Sequence, residues 1–287
     1  MYNYHIKPFI LLVFTVFVWG SCKSKSSHNT LSNTTTTSAK TAPTEEAQQL
    51  IKKFGPIING VWVKQDYIDK VIKTKSPFEA MDLAIGLTTF KVSLDSIRGD
   101  SLVAHGGWDN HEGADMKIKF HSGKRASTIL LNGSELGYEI HGRDTMLILY
   151  KTKTDDVPTT MYIRVLKRPF KHDGDLDDGL VYLMNKGLVA GKYFVIDSLG
   201  KKADVVLSPF GKITGLSSFK SYMIDYDLGG EPMNNLDGFT FDIYTKHQQS
   251  YTFKIMADTL SLYETRPNAD STLLLVDKLK YKLIRKR

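Results

Sequence analysis

Three stretches carry residue types and spacings that chemistry uses, and each has a plainer use. His172-Asp173-Gly174-Asp175-Leu176-Asp177-Asp178-Gly179 sets three aspartates at alternate positions, as a calcium loop does. Such a loop needs Gly at its sixth position to turn sharply and Glu at its twelfth to close the coordination shell. Here those positions are Asp178 and Met184, so the run reads as a solvated acidic linker ending in a helix N-cap. His105 and His111 flank Gly106-Gly107-Trp108-Asp109-Asn110, with Glu112 beside them. Two imidazoles and a carboxylate are zinc ligands by type. Without helical spacing or a third His, the stretch reads as an exposed hairpin turn. Asp225 and Asp227 stand two apart, on one strand face if the strand runs that far. Paired carboxylates are what glycoside hydrolysis uses, and two acids at the edge of a turn are ordinarily solvated. No Gly-x-Ser-x-Gly elbow, phosphate loop or His-Glu-x-x-His occurs. The reading names no catalytic residue, metal or cofactor, and expects a protein that is not an enzyme.

The remaining reactive residue is Cys22, the only cysteine of the chain. It follows an apolar run, Phe9 to Trp19, and the small residues Gly20 and Ser21. That run is shorter than the roughly 20 residues that span a bilayer, and the segment has the form of a secretory signal with small residues at the cut. It resembles a bacterial lipoprotein signal. The resemblance implies removal of residues 1–21, acylation of Cys22 with palmitate-type chains, and an envelope protein whose partner is the membrane. Lys23, where aspartate retains some such lipoproteins at the inner membrane, implies the outer membrane rather than the inner. A cysteine so placed serves as an anchor and leaves no disulfide.

Residues 22–44 read as a tether crowded with Ser, Thr and Asn, too polar to bury the surface that would offset its ordering entropy. Beyond it, short alternating runs repeat: Thr88–Leu94, Asp115–His121, Thr145–Lys151 and Thr160–Leu166 among them, with turns such as Asn132-Gly133-Ser134 between. Period-two alternation with frequent turns predicts antiparallel strands, one face packed and one wet. The pattern occurs twice. A helical run closed by a glycine (Glu46–Phe54 with Gly55, then Gly179–Lys186 with Gly187) precedes each strand start at Gly60-Val61-Trp62 and Gly191-Lys192-Tyr193. Each half ends in a hairpin that opens at Asp144-Thr145-Met146 and Asp258-Thr259-Leu260. These openings lie 84 positions after Gly60 and 67 after Gly191. The excess in the first half matches a helical stretch, Asp66 to Asp82, that the second half lacks. The expected fold is mainly β: two tandem antiparallel up-and-down barrels of about eight strands each, residues 45–170 and 171–287, with short helices at their starts.

Short helix, glycine, then Gly60-x-Trp62 at the head of an eight-stranded meander resembles the start of a lipocalin-like barrel. The resemblance implies that Trp62 packs at the closed end, against a late-strand arginine for which Arg164 is the candidate; Tyr193 and Arg285 hold those places in the second half. The composition, 41% hydrophobic with 11% aromatic, suffices for a core. Lys and Arg exceed Asp and Glu by seven, spread along the chain except at the C-terminus, and no basic stripe or module points to nucleic acid. Three functions remain open. The first, and the favoured one, is a binding module for a small apolar or amphipathic ligand, lined by Trp62, Trp108, Tyr138, Tyr222 and Phe241. The second is an interaction subunit of an envelope complex with packed barrels. The third and least favoured is a glycan-directed hydrolase.

Overall fold

Alternating apolar residues separated by tight turns build two sheets, and within each the strands pair in chain order. The computed structural model describes residues 42–150, 159–166, 178–197, 202–216, 218–228 and 232–286. Cys22, the stretches read from the sequence as leader and tether up to residue 41, and the acidic run 172–177 lie outside the described residues. The first sheet holds β1 (Gly60–Lys64), β2 (Leu87–Val92), β3 (Ser101–Trp108), β4 (Glu112–Lys119), β5 (Ile129–Leu131), β6 (Ser134–His141), β7 (Asp144–Tyr150) and β8 (Thr160–Leu166). It is a closed barrel, with β1 sealed to β8 by Trp62 opposite Arg164 and Val63 opposite Ile163.

The second sheet holds β9 (Gly191–Asp197), β10 (Lys202–Leu207), β11 (Ile213–Thr214), β12 (Tyr222–Ile224), β13 (Gly238–Phe241), β14 (Gln249–Met256), β15 (Thr259–Pro267) and β16 (Leu274–Arg285). Its first strand also pairs with its last, β9 with β16. The ladder opens only between β11 and β12. There a bridge of Lys212 to Ser221 and a hydrogen bond from Tyr222 N–H to the Gly211 carbonyl (2.7 Å) span the seam. The second sheet is thus nearly closed.

Each meander is preceded by helix. α1 (Glu45–Ile58) starts at Thr44, whose hydroxyl accepts from Ala47 N–H (3.2 Å) as an N-cap. Ala47, Phe54 and Ile58 enter the core of the first barrel beside Trp62, Phe90 and Leu102. α3 (Asp178–Met184) runs into a π-helical turn over Asn185–Val189, and Leu180, Met184, Leu188 and Val189 enter the second core. The two glycines expected to close these helices do not. Gly55 lies inside α1, which continues through Pro56 to Ile58, and Gly187 lies inside the π-helical turn. At Gly187 the missing Cβ serves packing instead, since one there would lie 2.7 Å from Ile72 Cγ1, whereas one on Gly55 would make ordinary contact with the Leu94 methyls at 3.5 Å.

Both helical segments end on an aromatic–arginine clasp. The last carbonyls of a helix lack donors of their own. Trp62 Nε1–H donates to the Ile58 carbonyl (2.7 Å), and Arg164 stacks over the indole at 4.7 Å while bonding the Ile57 carbonyl. In the second unit Tyr193 donates to the Val189 carbonyl (2.6 Å). Arg285 lies 5.2 Å over that ring and bonds the Ala190 carbonyl (3.0 Å), the Leu188 carbonyl (3.3 Å) and Tyr193 Oη (2.8 Å). Gly191 makes room, since a Cβ there would lie 3.1 Å from Arg285 Nη1.

The stretch without a counterpart in the second half forms α2 (Gln65–Thr74) and a 3₁₀ turn (Phe78–Leu83). Its apolar face does not enter the first barrel. Tyr67, Ile68, Val71, Ala80 and Ala84 belong to the core of the second sheet, continuous with Leu180, Val195, Phe239 and Leu262. Buried Lys64 fastens the insertion to β1, its ammonium donating to the Leu83 (2.9 Å) and Ile85 (3.2 Å) carbonyls at the end of the 3₁₀ turn. A core shared in this way makes the halves one cooperative body. Ile68→Ala is expected to destabilise the whole by about 2–5 kcal/mol. Urea unfolding followed by tryptophan fluorescence, which reports the first barrel through Trp62 and Trp108, is expected to coincide with unfolding followed by far-ultraviolet circular dichroism. Two separated transitions would show that the halves fold independently.

Candidate functional site at the junction of the two sheets

The stretch from His105 to Glu112, read from the sequence as an exposed hairpin turn, is a finger reaching the other sheet. Asp109 and Asn110 both take positive φ, 53° and 58°, and His111 N–H closes the turn on the Trp108 carbonyl (2.9 Å). Asp and Asn tolerate this left-handed pair, which matches the twist of the flanking strands. Asp109 Oδ1 fixes the turn by accepting from Gly86 N–H (2.6 Å). Asn110 Nδ2 then donates to the Tyr226 carbonyl (3.2 Å), and His111 Nδ1 lies 2.7 Å from Asp227 Oδ2. His105 faces a different carboxylate, Asp115 on β4, at 2.5 Å. Among the described residues no three His, Cys, Asp or Glu side chains are grouped to hold a metal ion.

A second bond joins the sheets beside this finger. Ser76 Oγ accepts from Glu79 N–H (3.0 Å), as the Ser76-Pro77-Phe78-Glu79 sequence leads one to expect of a helical start. The free Phe78 N–H of that turn donates to Asp237 Oδ1 (2.9 Å), a residue 159 positions along the chain. Asp225 Oδ1 accepts from Asp227 N–H (3.2 Å) in a local turn. The pair Asp225 and Asp227 therefore does not stand as two free acids, because Asp227 is drawn to His111.

Asp225 and Asp237 line one cavity of about 130 Å³. Burial pushes the carboxyl of each above the usual carboxylate range. At Asp225 the Asp227 N–H opposes that shift and the Asp227 charge adds to it. At Asp237 the hydrogen bonds from Phe78 and Ser76 oppose it and the Glu79 charge adds to it. Tyr67, buried next to them, has its phenol raised chiefly by burial and also by the charges of Asp237 and Asp225. Asn110 Oδ1 is buried with no hydrogen bond among the described residues.

The five aromatics expected to line a ligand chamber fall into two cores. Trp62 is fully buried in its clasp, Tyr138 meets Phe54 edge-on at 5.6 Å, and Trp108 packs on the same first core. Tyr222 stacks on Phe239 at 5.3 Å and donates to the Ser208 carbonyl (2.6 Å); Phe241 stacks on Phe219 at 4.1 Å. Neither the acidic cavity nor a larger groove of about 330 Å³ along β3 and β4 is lined by any of the five. Sequence reading does not single out Asp237 or Tyr67, and it meets Asn110 only as a turn residue, since no local pattern marks a partner in the other half. Comparison with protein-family models, with curated proteins and with solved structures finds no significant match to this chain.

The raised carboxyls set a pH dependence. A group whose folded pKa lies above its unfolded one contributes stability that is present below the unfolded value, about 4 for Asp, and is lost as pH rises through the folded value. Asp225→Asn is therefore expected to melt higher than the parent chain at neutral pH and to lose that advantage below about pH 4. A difference that stays constant across that range would remove burial of Asp225 as its cause.

Proposed function

We propose that this protein is a lipid-anchored component of the bacterial cell envelope, without enzymatic activity, whose two barrel-like units form a packed scaffold that docks on another envelope component. The observation that carries this reading is the filling of both interiors by the chain's own side chains. Trp62, Phe90, Leu102, Ile118, Phe120 and Leu136 occupy the first, and Val195, Phe219, Phe239, Phe241, Phe253 and Leu262 the second. Aromatics committed to such stacks and to backbone carbonyls are poorly placed to receive an apolar ligand, so the carrier reading takes second place. Leu273, Leu275, Val276 and Leu279, each at least a third exposed, add apolar surface of the kind that interaction proteins present. The helix, the Gly60-x-Trp62 strand start and the Trp62–Arg164 stack support a lipocalin-like reading of the first unit, and Tyr193 with Arg285 extends it to the second.

Under this reading Cys22 carries the acyl chains, and several chains on one residue hold where a single chain is marginal. Residues 23–44 then link that anchor, at an outer-membrane surface, to the folded part. Among the described residues no helix is long and apolar enough to cross a membrane. Cys22→Ser is expected to move the protein from the membrane fraction to the soluble fraction; retention in the membrane would remove the anchor. Native mass spectrometry of the detergent-solubilised full chain is expected to give the acylated mass with no small-molecule adduct. A discrete adduct released on denaturation would restore the carrier reading.

A further inference from the structure

The acidic cavity has a chemistry of its own. Its floor is formed by β13 and β14, where Thr240 Oγ1 and Ser250 Oγ lie 3.0 Å apart and Thr252 Oγ1 donates to the Asp237 carbonyl (2.9 Å). Gly238 lets the Asp225 side chain lie close against the backbone, because a Cβ there would lie 2.8 Å from Asp225 Cβ. Met233, Leu236 and Leu274 supply apolar wall. No lysine, arginine or histidine lines it, and neither Asp225 nor Asp237 pairs with a cation among the described residues. Each carboxylate has one oxygen held by a backbone N–H, Asp225 by Asp227 and Asp237 by Phe78.

Carboxylates withdrawn from water with no cation beside them are costly. Perturbed acids of this kind in a cleft mark a binding site more often than a surface pair does. The same charge rejects phosphates and carboxylates. Among the described residues a metal ion lacks a third His, Cys, Asp or Glu side chain here. Size decides among the cations and polyols. A cavity of about 130 Å³ is close to the ~150 Å³ that holds a six-carbon ring and well below the ~300 Å³ at which drug-sized sites begin. An ammonium on a four- or five-carbon stem fits that volume, and it brings the positive charge that a neutral polyol lacks. We propose that this cavity takes a primary ammonium group on a short aliphatic stem, with Asp225 as counter-ion, the hydroxyls of Thr240, Ser250 and Thr252 as acceptors, and Met233, Leu236 and Leu274 against the stem. The group comes either from a lysine side chain of another protein or from a free diamine. The inference is independent of the anchor and of the docking reading.

Calorimetric titration of the full chain in detergent with Nα-acetyl-lysine methylamide, with cadaverine and with Nα-acetyl-norleucine methylamide tests it. At neutral pH the lysine derivative, cadaverine or both bind, and the norleucine derivative, which keeps the stem and lacks the nitrogen, binds at least about tenfold more weakly. Binding of the lysine derivative alone assigns a protein lysine as the source; binding of cadaverine alone assigns a free amine. Asp225→Asn lowers amine affinity about tenfold or more. A second measurement needs no variant: affinity of the parent chain falls on acidification as Asp225 takes up a proton. Equal binding of the lysine and norleucine derivatives, no binding of either amine, or an affinity indifferent to pH overturns the proposal.

Discussion

β1 is buried on both of its faces, and the rest of the architecture follows from that requirement. A strand of a small barrel turns alternate side chains inward and outward. Trp62 turns into the first core, and Val61 and Val63 turn out, yet all three are within 1% of complete burial. The cover is α2, which leaves β1 at Gln65, and α3, which opens the second half. A Cβ on Gly179 of α3 would lie 2.4 Å from Val61 Cγ1, so the approach is as close as backbone permits. Burying side chains such as Val63, Ile68 and Val71 stabilises by about 1.5–3 kcal/mol each. The entropy cost of closing the connection between the halves grows by only about 0.6 kcal/mol per doubling of its length. Packing therefore decides the outcome, and the two meanders become one body.

The two units solve the same end problem with different residues. Each must satisfy the terminal carbonyls of the helical segment that closes its barrel. In each the donor is an aromatic residue four positions after the carbonyl it meets, held by an arginine from the last strand. Trp62 supplies an indole N–H and Arg164 a bond to Ile57, but Arg164 Nε is left buried without a partner. Tyr193 supplies a hydroxyl that both donates to Val189 and accepts from Arg285, which bonds two further carbonyls. The second clasp is the better satisfied. It closes the sheet whose ladder is interrupted between β11 and β12.

Much of the fold was legible because its signals are local. Period-two alternation locates β8 at Thr160–Leu166 to the residue, and the two openings at Asp144 and Asp258 lead into the hairpins that end each sheet. The pairing of first strand with last comes with the clasp residues. Gly187 was legible as a glycine but not as a packing site, because the contact that crowds a Cβ comes from Ile72, far along the chain. The shared core was hidden for the same reason: the apolar stripe of α2 is plain in the sequence, and its destination is not. Asp225 and Asp227 were visible as a pair. That one is desolvated beside a cavity while the other meets His111 depends on a turn 116 positions away.

The acids at the junction do not follow from the packing that forms it. Tyr67, Ile68 and Val71 would join the sheets with any neutral neighbour, and an asparagine at either acidic position retains an acceptor for the backbone N–H it meets. The upward shifts of the two carboxyls share one main cause, burial, and no lysine or arginine of the described residues relieves it. Yet Asn110 and His111 already supply neutral and paired contacts a few residues away at the same seam. The junction closes with such contacts and still sets two acids, with no cation beside them among the described residues, around one cavity. Among the described residues no cation meets either acid, and the proposed ammonium group is what would balance them.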